Sequence, residues 1–276
     1  PEGHSGSSYY STPFQSIGAR GVNNLSSKLL MTLLPPNAPF FRLTIDDFDL
    51  QSLAGGEGAR GKVEEALARI ERAAMHEVEA TAVRVPVFEA LKQLIVSGNV
   101  LVHMPKDGGV RVFRLDRYVC QRDAMGNVLE IITKETVSPM VLPTEVQELL
   151  TKPDNKEAQL KSVDLYTNVK RVNKKWEVHQ EVEGQIIPSS KGSFPLDKSP
   201  FMSLRMVRID GESYGRGYVE EFIGDLSSLE TLTKAIVEGA AAAAKVLFLV
   251  RPNGTTKAKV IAQTPNGGIA AGDAND

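Results

Sequence analysis

Glycines are concentrated in the segment RIDGESYGRGYVEE, which contains Gly211, Gly215 and Gly217. A glycine-rich loop that opens a helix can hold a phosphate with its backbone N–H groups. Such a loop also needs a lysine followed by serine or threonine, whereas the base between these glycines is Arg216. The acids that follow, Glu220 and Glu221, would occupy the positive end of the helix dipole themselves. The residue types therefore favour a turn over a phosphate loop.

In this structural interpretation, the segment redirects the chain so that a helix can begin. Asp210 and Gly211 form a tight turn, while Gly215 and Gly217 adopt unusual backbone angles that a side chain would penalise. The two glutamates then stabilise the first helical turn. A phosphate- or nucleotide-binding enzyme that uses the 211–217 glycine cluster is the alternative hypothesis.

The other residues that could do chemistry do not form a pattern. The four histidines are scattered along the chain, which argues against a zinc site. Cys120 lies in an alternating segment, where a cysteine usually packs, and there is no G-x-S-x-G motif. Asp46 and Asp47 are adjacent, an arrangement more typical of a helix cap than of a carboxylate pair. We therefore predict no catalytic residue, no cofactor and no bound metal.

Composition is typical of soluble globular proteins. The chain has 276 residues and a formal net charge of -2, and it is 42% hydrophobic and 24% charged. This balance does not predict nucleic-acid binding, and a single cysteine fits a reducing compartment. No apolar run approaches the roughly 20 residues that cross a bilayer, so no membrane partner is expected. The first residues lack a signal-peptide pattern, and both ends are expected to be cuts in a longer protein.

Helical periodicity dominates the first 98 residues. Thr12 and Pro13 form a favourable helix start, and the helix they open is expected to end at Pro35. A second helix is predicted over 61–82, after a short helical turn at 46–53 and a flexible break at 55–61. A third helix is predicted from Pro86 to a terminal Gly98.

The period then changes to two residues, which indicates strands. Strands are predicted at 100–104, 110–115, 118–122, 128–134, 163–172, 175–182 and 201–209. A short helix is predicted at 143–150, and loops are predicted at 151–161 and at the Pro/Ser/Gly-rich stretch 188–200. The fold class is therefore α+β, with helices first, strands in the middle and a long helix after them.

The long helix is predicted over 218–245. Its broad apolar face includes Phe222, Leu226, Leu229 and Ile236. The run GAAAAAK then supplies small side chains that would let another backbone approach closely. One hypothesis is a helix that folds onto the core of a monomeric scaffold domain. The other is a helix that packs against further subunits, because few residues follow that could cover its apolar face.

A resemblance to the portal protein, or head-to-tail connector, of short-tailed bacteriophages of the podovirus type is carried by four segments: FQSIGARGVNNLSSKLL, VFEALKQLIVSGNVLV, YVCQRDAMGNVL and VRIDGESYGRGYVEEFIGDLSSLE. It extends in the same order from about Thr12 to Asn253. The resemblance implies a non-enzymatic protein that forms a closed ring, typically a dodecamer, at one vertex of the capsid. Double-stranded DNA would be packaged and ejected through this ring.

The resemblance divides the chain into a wing (1–217), a stem helix (218–243) and a partial clip (244–276), with the C-terminal half of the protein absent. The three glycines would turn the chain from the wing into the stem. The four apolar residues of the helix face would form contacts between subunits. The acids at the start of the stem would help to keep the channel wall from binding DNA, since phosphate contacts bind strongly.

The same resemblance implies the partners. The ring would contact the major capsid protein and scaffold, the terminase and later the tail adaptor proteins. The protein would reside in the virion after assembly in the host cytoplasm. The C-terminal segment carries Arg251, Lys257 and Lys259, which are candidates either for sequence-independent contact with DNA in the channel or for docking of the terminase or tail.

Overall fold

The computed structural model describes residues 13–36, 38–46, 57–106, 108–144, 146–147, 162–244 and 257–263. The chain divides into two compact units. The first unit includes Ser16–Leu226, and the second combines Pro13–Gln15 with Ser227–Asp276. Both β-sheets lie in the first unit.

The α-helices with defined ends are α1 (Ile17–Leu33), α2 (Glu57–Ala80), α3 (Arg84–Ser97), α4 (Tyr218–Glu221), α5 (Ile223–Ala243) and α6 (Ala258–Gln263). Helix α3 ends at Gly98, which adopts a left-handed conformation, as predicted from its position after the periodic segment. No helix among the described residues combines the length and the apolar character needed to cross a membrane.

Several helix boundaries differ from the predictions. Helix α3 begins at Arg84 rather than at Pro86, α2 ends at Ala80 rather than at 82, and α5 ends at Ala243 rather than at 245. The first helix begins at Ile17 rather than at Pro13, and Ser16 precedes it without a side-chain capping bond. The break predicted at 55–61 is wrong from Glu57 onward, because helix α2 already begins there. The long helix is interrupted at Phe222, the one residue between the end of α4 at Glu221 and the start of α5 at Ile223. Most of the turn predicted at 46–53 lies outside the described residues.

The strands are β1 (Asn99–His103), β2 (Arg111–Phe113), β3 (Tyr118–Arg122), β4 (Val128–Val137), β5 (Val163–Val172), β6 (Lys175–Val182), β7 (Gln185–Pro195) and β8 (Phe201–Arg205). They form a three-stranded sheet in the order β2-β1-β8 and a five-stranded sheet in the order β3-β4-β5-β6-β7. All of the neighbouring strands are antiparallel. The predicted α+β class is therefore confirmed, and β3, β5 and β6 match their predicted bounds.

The loop predicted at 188–200 is wrong for most of its length, because β7 continues to Pro195. Strand β7 is an edge strand, where a proline removes no ladder hydrogen bond that the sheet needs. Its pairing with β6 is irregular near Pro188, where the Ser190 hydroxyl accepts a hydrogen bond from the Gln180 amide at 2.7 Å. The Pro/Ser/Gly composition thus marks a bulge within a strand rather than a loop.

The largest core cluster is contributed by both sheets. Alternation along β3 turns Tyr118 and Cys120 inward and leaves Val119 exposed. The buried members of the cluster are Leu101, Phe113, Tyr118, Cys120, Ile131, Val169 and Trp176. A second cluster surrounds Leu165, Val182 and Ile187, and a third joins Ala90 of α3 to Val100 and Val102 of β1. The first unit therefore has an apolar interior made of three clusters, which can hold its surface segments in place.

Replacing Ile131 by alanine should lower the free energy of unfolding by about 2–5 kcal/mol, because it would leave a cavity in the largest cluster. Urea denaturation followed by circular dichroism measures the change. Val119→Ala is the matched control, since Val119 is 56% exposed on the strand paired with Ile131, and it should cost less than about 1 kcal/mol. Equal losses in the two variants would contradict this assignment of the core.

Candidate functional site

The segment that precedes the long helix meets the end of helix α3 through glycines on both sides. Gly98 follows α3 with φ +70°, and a Cβ atom placed on it would lie 2.2 Å from the carbonyl carbon of Arg216. Real Cβ atoms do not approach other atoms so closely, and the left-handed conformation independently favours glycine. Position 98 therefore requires glycine for two reasons: the end of the helix is left-handed there, and the backbone at Arg216 leaves no room for a side chain.

The opposite side of this contact is equally tight. A Cβ atom on Gly215 would lie 2.7 Å from the Val207 carbonyl oxygen, and one on Gly217 would lie 2.6 Å from the Val96 carbonyl oxygen. The expectation of unusual backbone angles is wrong for these two residues: Gly217 has φ -101°, and neither is among the residues with positive φ. Gly211, with φ +75°, is the one of the three that adopts a left-handed angle. Gly215 and Gly217 are needed for close backbone approach instead.

The buried side chain of Asn99 binds the backbone on the opposite side of this contact. We call Gly98, Asn99, Gly215 and Gly217 together the glycine junction. The Asn99 side chain accepts a hydrogen bond from the Gly215 amide at 2.7 Å and donates one to the Gly215 carbonyl oxygen at 2.8 Å. Asn99 is 3% exposed, so water cannot replace these bonds. Sequence reasoning missed Asn99, because a single asparagine at the start of a strand has no distinguishing local pattern.

Two further backbone bonds extend the junction. The Met206 amide donates to the Gly98 carbonyl oxygen at 2.9 Å. Val207 and Arg216 form an isolated antiparallel bridge, in which the Arg216 amide donates to the Val207 carbonyl oxygen at 3.0 Å. The chain on both sides of the turn 208–215 is thus held to the end of α3. The direction in which α4 begins is consequently fixed by backbone contacts.

Arg216, the base within the glycine cluster, is occupied by carboxylates of its own segment. Its guanidinium donates to Glu220 and lies 3.4 Å from Glu212. The hydrogen bond to Glu220, followed by the charge of Glu212, raises the pKa of Arg216. A phosphate at this turn would have to compete with two acids for its one base, so the geometry counts against a phosphate loop.

The predicted apolar face is uneven in its exposure. In the first unit, Phe222 is 54% exposed, whereas Leu226 packs towards Gly18 of helix α1. In the second unit, Leu229 is partly covered, but Leu232 and Ile236 are 62% and 71% exposed. No residue of α5 is buried. The C-terminal part of the helix therefore presents apolar side chains that the second unit leaves uncovered within the described residues.

The second unit also contains a contact that the sequence did not predict. The Phe14 amide donates to a Glu230 carboxylate oxygen at 2.7 Å, and the Lys234 ammonium lies 6.0 Å from the centre of the Phe14 ring. The residues 13–15 are thus held on helix α5 by one acid and one base that are a helical turn apart.

The predicted basic candidates at the C-terminal end are only partly described. Lys257 and Lys259 are exposed, and Lys259 lies in the short helix α6. Arg251 lies outside the described residues. Among the residues that the structure describes, no group of three or more histidine, cysteine, aspartate or glutamate side chains could hold a metal ion.

These features define a structural class of protein: one unit is a well-packed α+β fold with a tight glycine junction, and the other contains a helix without buried residues. The chain belongs to the bacteriophage head to tail connecting protein family, whose family model matches residues 2–276. The resemblance to portal proteins of short-tailed phages is thereby confirmed.

Individual relatives agree with the family assignment. The chain is similar to the portal protein of Enterobacteria phage T3, with 41% identity over 273 residues, and to that of Escherichia phage T7, with 39% identity over 274 residues. Each alignment covers 97% of this chain and 51% of the relative. The portal protein of Enterobacteria phage SP6 is 28% identical over 273 residues, which cover 95% of this chain and 52% of the relative. The chain therefore spans about half the length of the curated relatives it matches.

Replacing Gly217 by alanine should lower the free energy of unfolding by about 1–3 kcal/mol, because the new methyl group would overlap backbone atoms of Val96 and Gly98. Thermal unfolding followed by circular dichroism measures this. Gly61→Ala is the control, because Gly61 lies in α2 with no atom near its virtual Cβ. The control should be neutral or slightly stabilising, since alanine favours a helix over glycine. A tolerated Gly217→Ala would show that the backbones can separate at little cost.

Replacing Asn99 by alanine should cost about 1–3 kcal/mol for each Gly215 backbone group that it leaves unpaired in the interior. Asn23→Ala, on the exposed surface of α1, controls for the loss of an amide side chain. A double variant with Gly217→Ala should lose less stability than the sum of the two single variants, because both act on the same junction. Strict additivity in this cycle would contradict a shared junction.

Proposed function

We propose that this chain is the wing, stem and partial clip of a phage portal protein that assembles into a ring. The ring stands at one vertex of the capsid, and double-stranded DNA is packaged and ejected through it. The support comes from the family membership and from relatives that bear the name portal protein. In this proposal 1–217 form the wing, 218–243 the stem helix and 244–276 the partial clip.

The observation that carries the proposal is the exposed apolar face of α5. Leu232 and Ile236 lie on adjacent turns and are mostly exposed to solvent in the described chain. Burying them in a neighbouring subunit removes apolar surface from water, at about 25 cal/mol per Å². The small residues Gly239 to Ala243 at the end of the same helix permit close approach of a second backbone.

A ring also explains why such a face would remain open in one chain. In a closed ring, each subunit presents one surface to a different surface of its neighbour, so the contact cannot be satisfied within the subunit. We propose a homo-oligomer, by resemblance a dodecamer, that contacts the capsid protein and scaffold, the terminase and then the tail adaptors. The ring is assembled in the host cytoplasm and remains in the virion. Its role is structural, without catalysis.

Two other hypotheses each make a demand that the described residues do not meet. A nucleotide-binding enzyme needs a free base at the glycine cluster, but Arg216 is paired with Glu212 and Glu220. A monomeric scaffold domain needs its own core to cover α5, and no residue of that helix is buried. For Lys257 and Lys259, contact with DNA in the channel and docking of the terminase or tail both remain proposals.

Replacing Ile236 by aspartate should prevent assembly, because the subunit contact would bury an unpaired charge. Native mass spectrometry and sedimentation velocity should show rings for the parent chain and monomers or open fragments for the variant. Circular dichroism should show that the sheets of the first unit remain folded.

The matched control is Ser227→Asp, an exposed position on the opposite side of the same helix, and it should leave the oligomer intact. Intact rings from Ile236→Asp would overturn the assignment of the contact to this face. A parent chain that stays monomeric at all concentrations would instead favour the scaffold-domain hypothesis.

A further inference from the structure

Three arginine side chains converge on one turn of the first unit. Arg122 ends strand β3, Arg205 ends strand β8, and Arg208 follows three residues later. All three reach the turn 123–127, which contains Gly126 with φ +85°. We call Arg122, Arg205 and Arg208 the arginine cluster. None of these three side chains belongs to the glycine junction.

Arg122 has a structural role in this cluster. Its Nε donates to the Ser213 carbonyl oxygen at 3.1 Å, and its terminal nitrogens donate to the carbonyl oxygens of Gly126 at 3.0 Å and Ser203 at 2.8 Å. A fourth bond runs to the Ser203 hydroxyl oxygen at 3.0 Å, so four of its five N–H groups are in use. Arg122 thus connects the turn 123–127, strand β8 and the loop at 213. Its guanidinium is bound to these segments and has little capacity left for a ligand.

Arg205 and Arg208 are used far less completely. Arg205 donates to the Glu212 carbonyl oxygen at 2.8 Å, and Arg208 donates to the Met125 carbonyl oxygen at 2.7 Å. Each of these bonds engages one of five N–H groups, so both guanidinium forks keep donors for a further acceptor. The two groups lie side by side, because a Cβ atom on Gly126 would be 2.9 Å from a terminal nitrogen of Arg205 and 3.0 Å from one of Arg208.

The positive charge of the cluster is not neutralised by the acids of the same turns. Within the described residues, no carboxylate oxygen lies within 4.0 Å of any of the three guanidinium groups. The Asp123 carboxylate accepts hydrogen bonds from Asn127, and Glu212 pairs with Arg216. Partial burial and the charges of Arg122 and Arg208 lower the pKa of Arg205, as expected where like charges are close together.

We propose that Arg205 and Arg208, held in place by Arg122, bind the phosphate backbone of double-stranded DNA without reading its sequence. A guanidinium fork matches the geometry of a phosphate, with two parallel N–H···O bonds. Successive phosphates along one strand offer a row of charges, so two adjacent guanidinium groups can each bind one. An acidic protein is a poorer match than DNA. One carboxylate would bind only one of the two guanidinium groups, and two carboxylates placed side by side would repel each other.

This inference rests on the proposed function only for the source of the DNA. Carbonyl contacts hold the forks in place before DNA arrives, which lowers the entropy lost on binding. Arg208 is exposed and can reach a ligand in solution. The contact is local and small, which suits a duplex that must be held and then released. The net charge of -2 does not predict DNA binding, so such a contact depends on the local charge of the arginine cluster.

The test measures binding of the purified full chain to two fluorescent 20-base-pair duplexes of unrelated sequence, by fluorescence anisotropy over a series of salt concentrations. Arg205→Gln with Arg208→Gln should weaken binding to both duplexes roughly tenfold at low salt. The slope of log affinity against log salt should fall in magnitude by about 2, because two phosphate contacts are lost. The variant Lys174→Gln with Lys175→Gln, at an exposed hairpin turn, is the control with the same change in charge.

Three further arms keep the result interpretable. Arg208→Gln alone removes one exposed side chain and should retain the fold if the double variant does not, with a slope change of about 1. Arg208→Lys keeps the charge but loses the fork, and its affinity should lie between those of the parent and Arg208→Gln. Sedimentation of the same samples reports assembly separately, so a chain that stays monomeric yet binds DNA through the cluster still supports this inference.

Three results would overturn the proposal. One is equal affinity for DNA in the arginine and lysine double variants, and another is no binding of the parent chain to either duplex at low salt. The third comes from polyglutamate as a carboxylate probe: if it binds more tightly than DNA and the arginine variant abolishes that binding, the cluster docks an acidic protein instead.

Discussion

The structure depends on a backbone-to-backbone contact between the end of helix α3 and the segment before α4. Gly98, Gly215 and Gly217 leave no room for a Cβ atom on either side, so the two chain segments touch directly. Asn99 then satisfies both backbone groups of Gly215 in the interior. Because interiors are close-packed, a contact without side chains has few alternative arrangements. The start of α4, within the first unit, is consequently held in a fixed position by this contact.

This contact also organises the surface around it. The strand pair β1–β8 starts at the junction, since Asn99 is paired with Arg205. Arg205 in turn reaches the loop that leads back to Gly215, where it donates to the Glu212 carbonyl oxygen. Arg122 adds bonds to Ser203 and Ser213 from the five-stranded sheet. The glycine junction and the arginine cluster are thus two parts of one hydrogen-bonded region. The junction fixes the position of the backbone, and the cluster carries the positive charge.

Local pattern was sufficient for much of the fold. Alternation set β3, β5 and β6 correctly, and Gly98 marked the end of α3, because both signals arise within a few residues. Strand β7 was missed because its proline and serines form a bulge that depends on β6.

The reason why positions 215 and 217 require glycine was also missed. A glycine required by a distant backbone looks the same in sequence as one required by its own angle, and only the Gly98 contact distinguishes them. Asn99, Arg122 and Arg208 are long-range in the same way, since each has a partner about 80 to 120 residues away in the chain.

The two units differ in how they can be stabilised. The first has three apolar clusters, and its helices and sheets cover one another. In the second, the described helix α5 has no buried residue, and the strap at Phe14 covers only a short part of it. Most helical stability in proteins comes from the packing of an apolar face rather than from intrinsic helix propensity. Under the proposed function, contacts with neighbouring subunits supply that packing. The order of the helix would then depend on assembly, whereas the fold of the first unit would not.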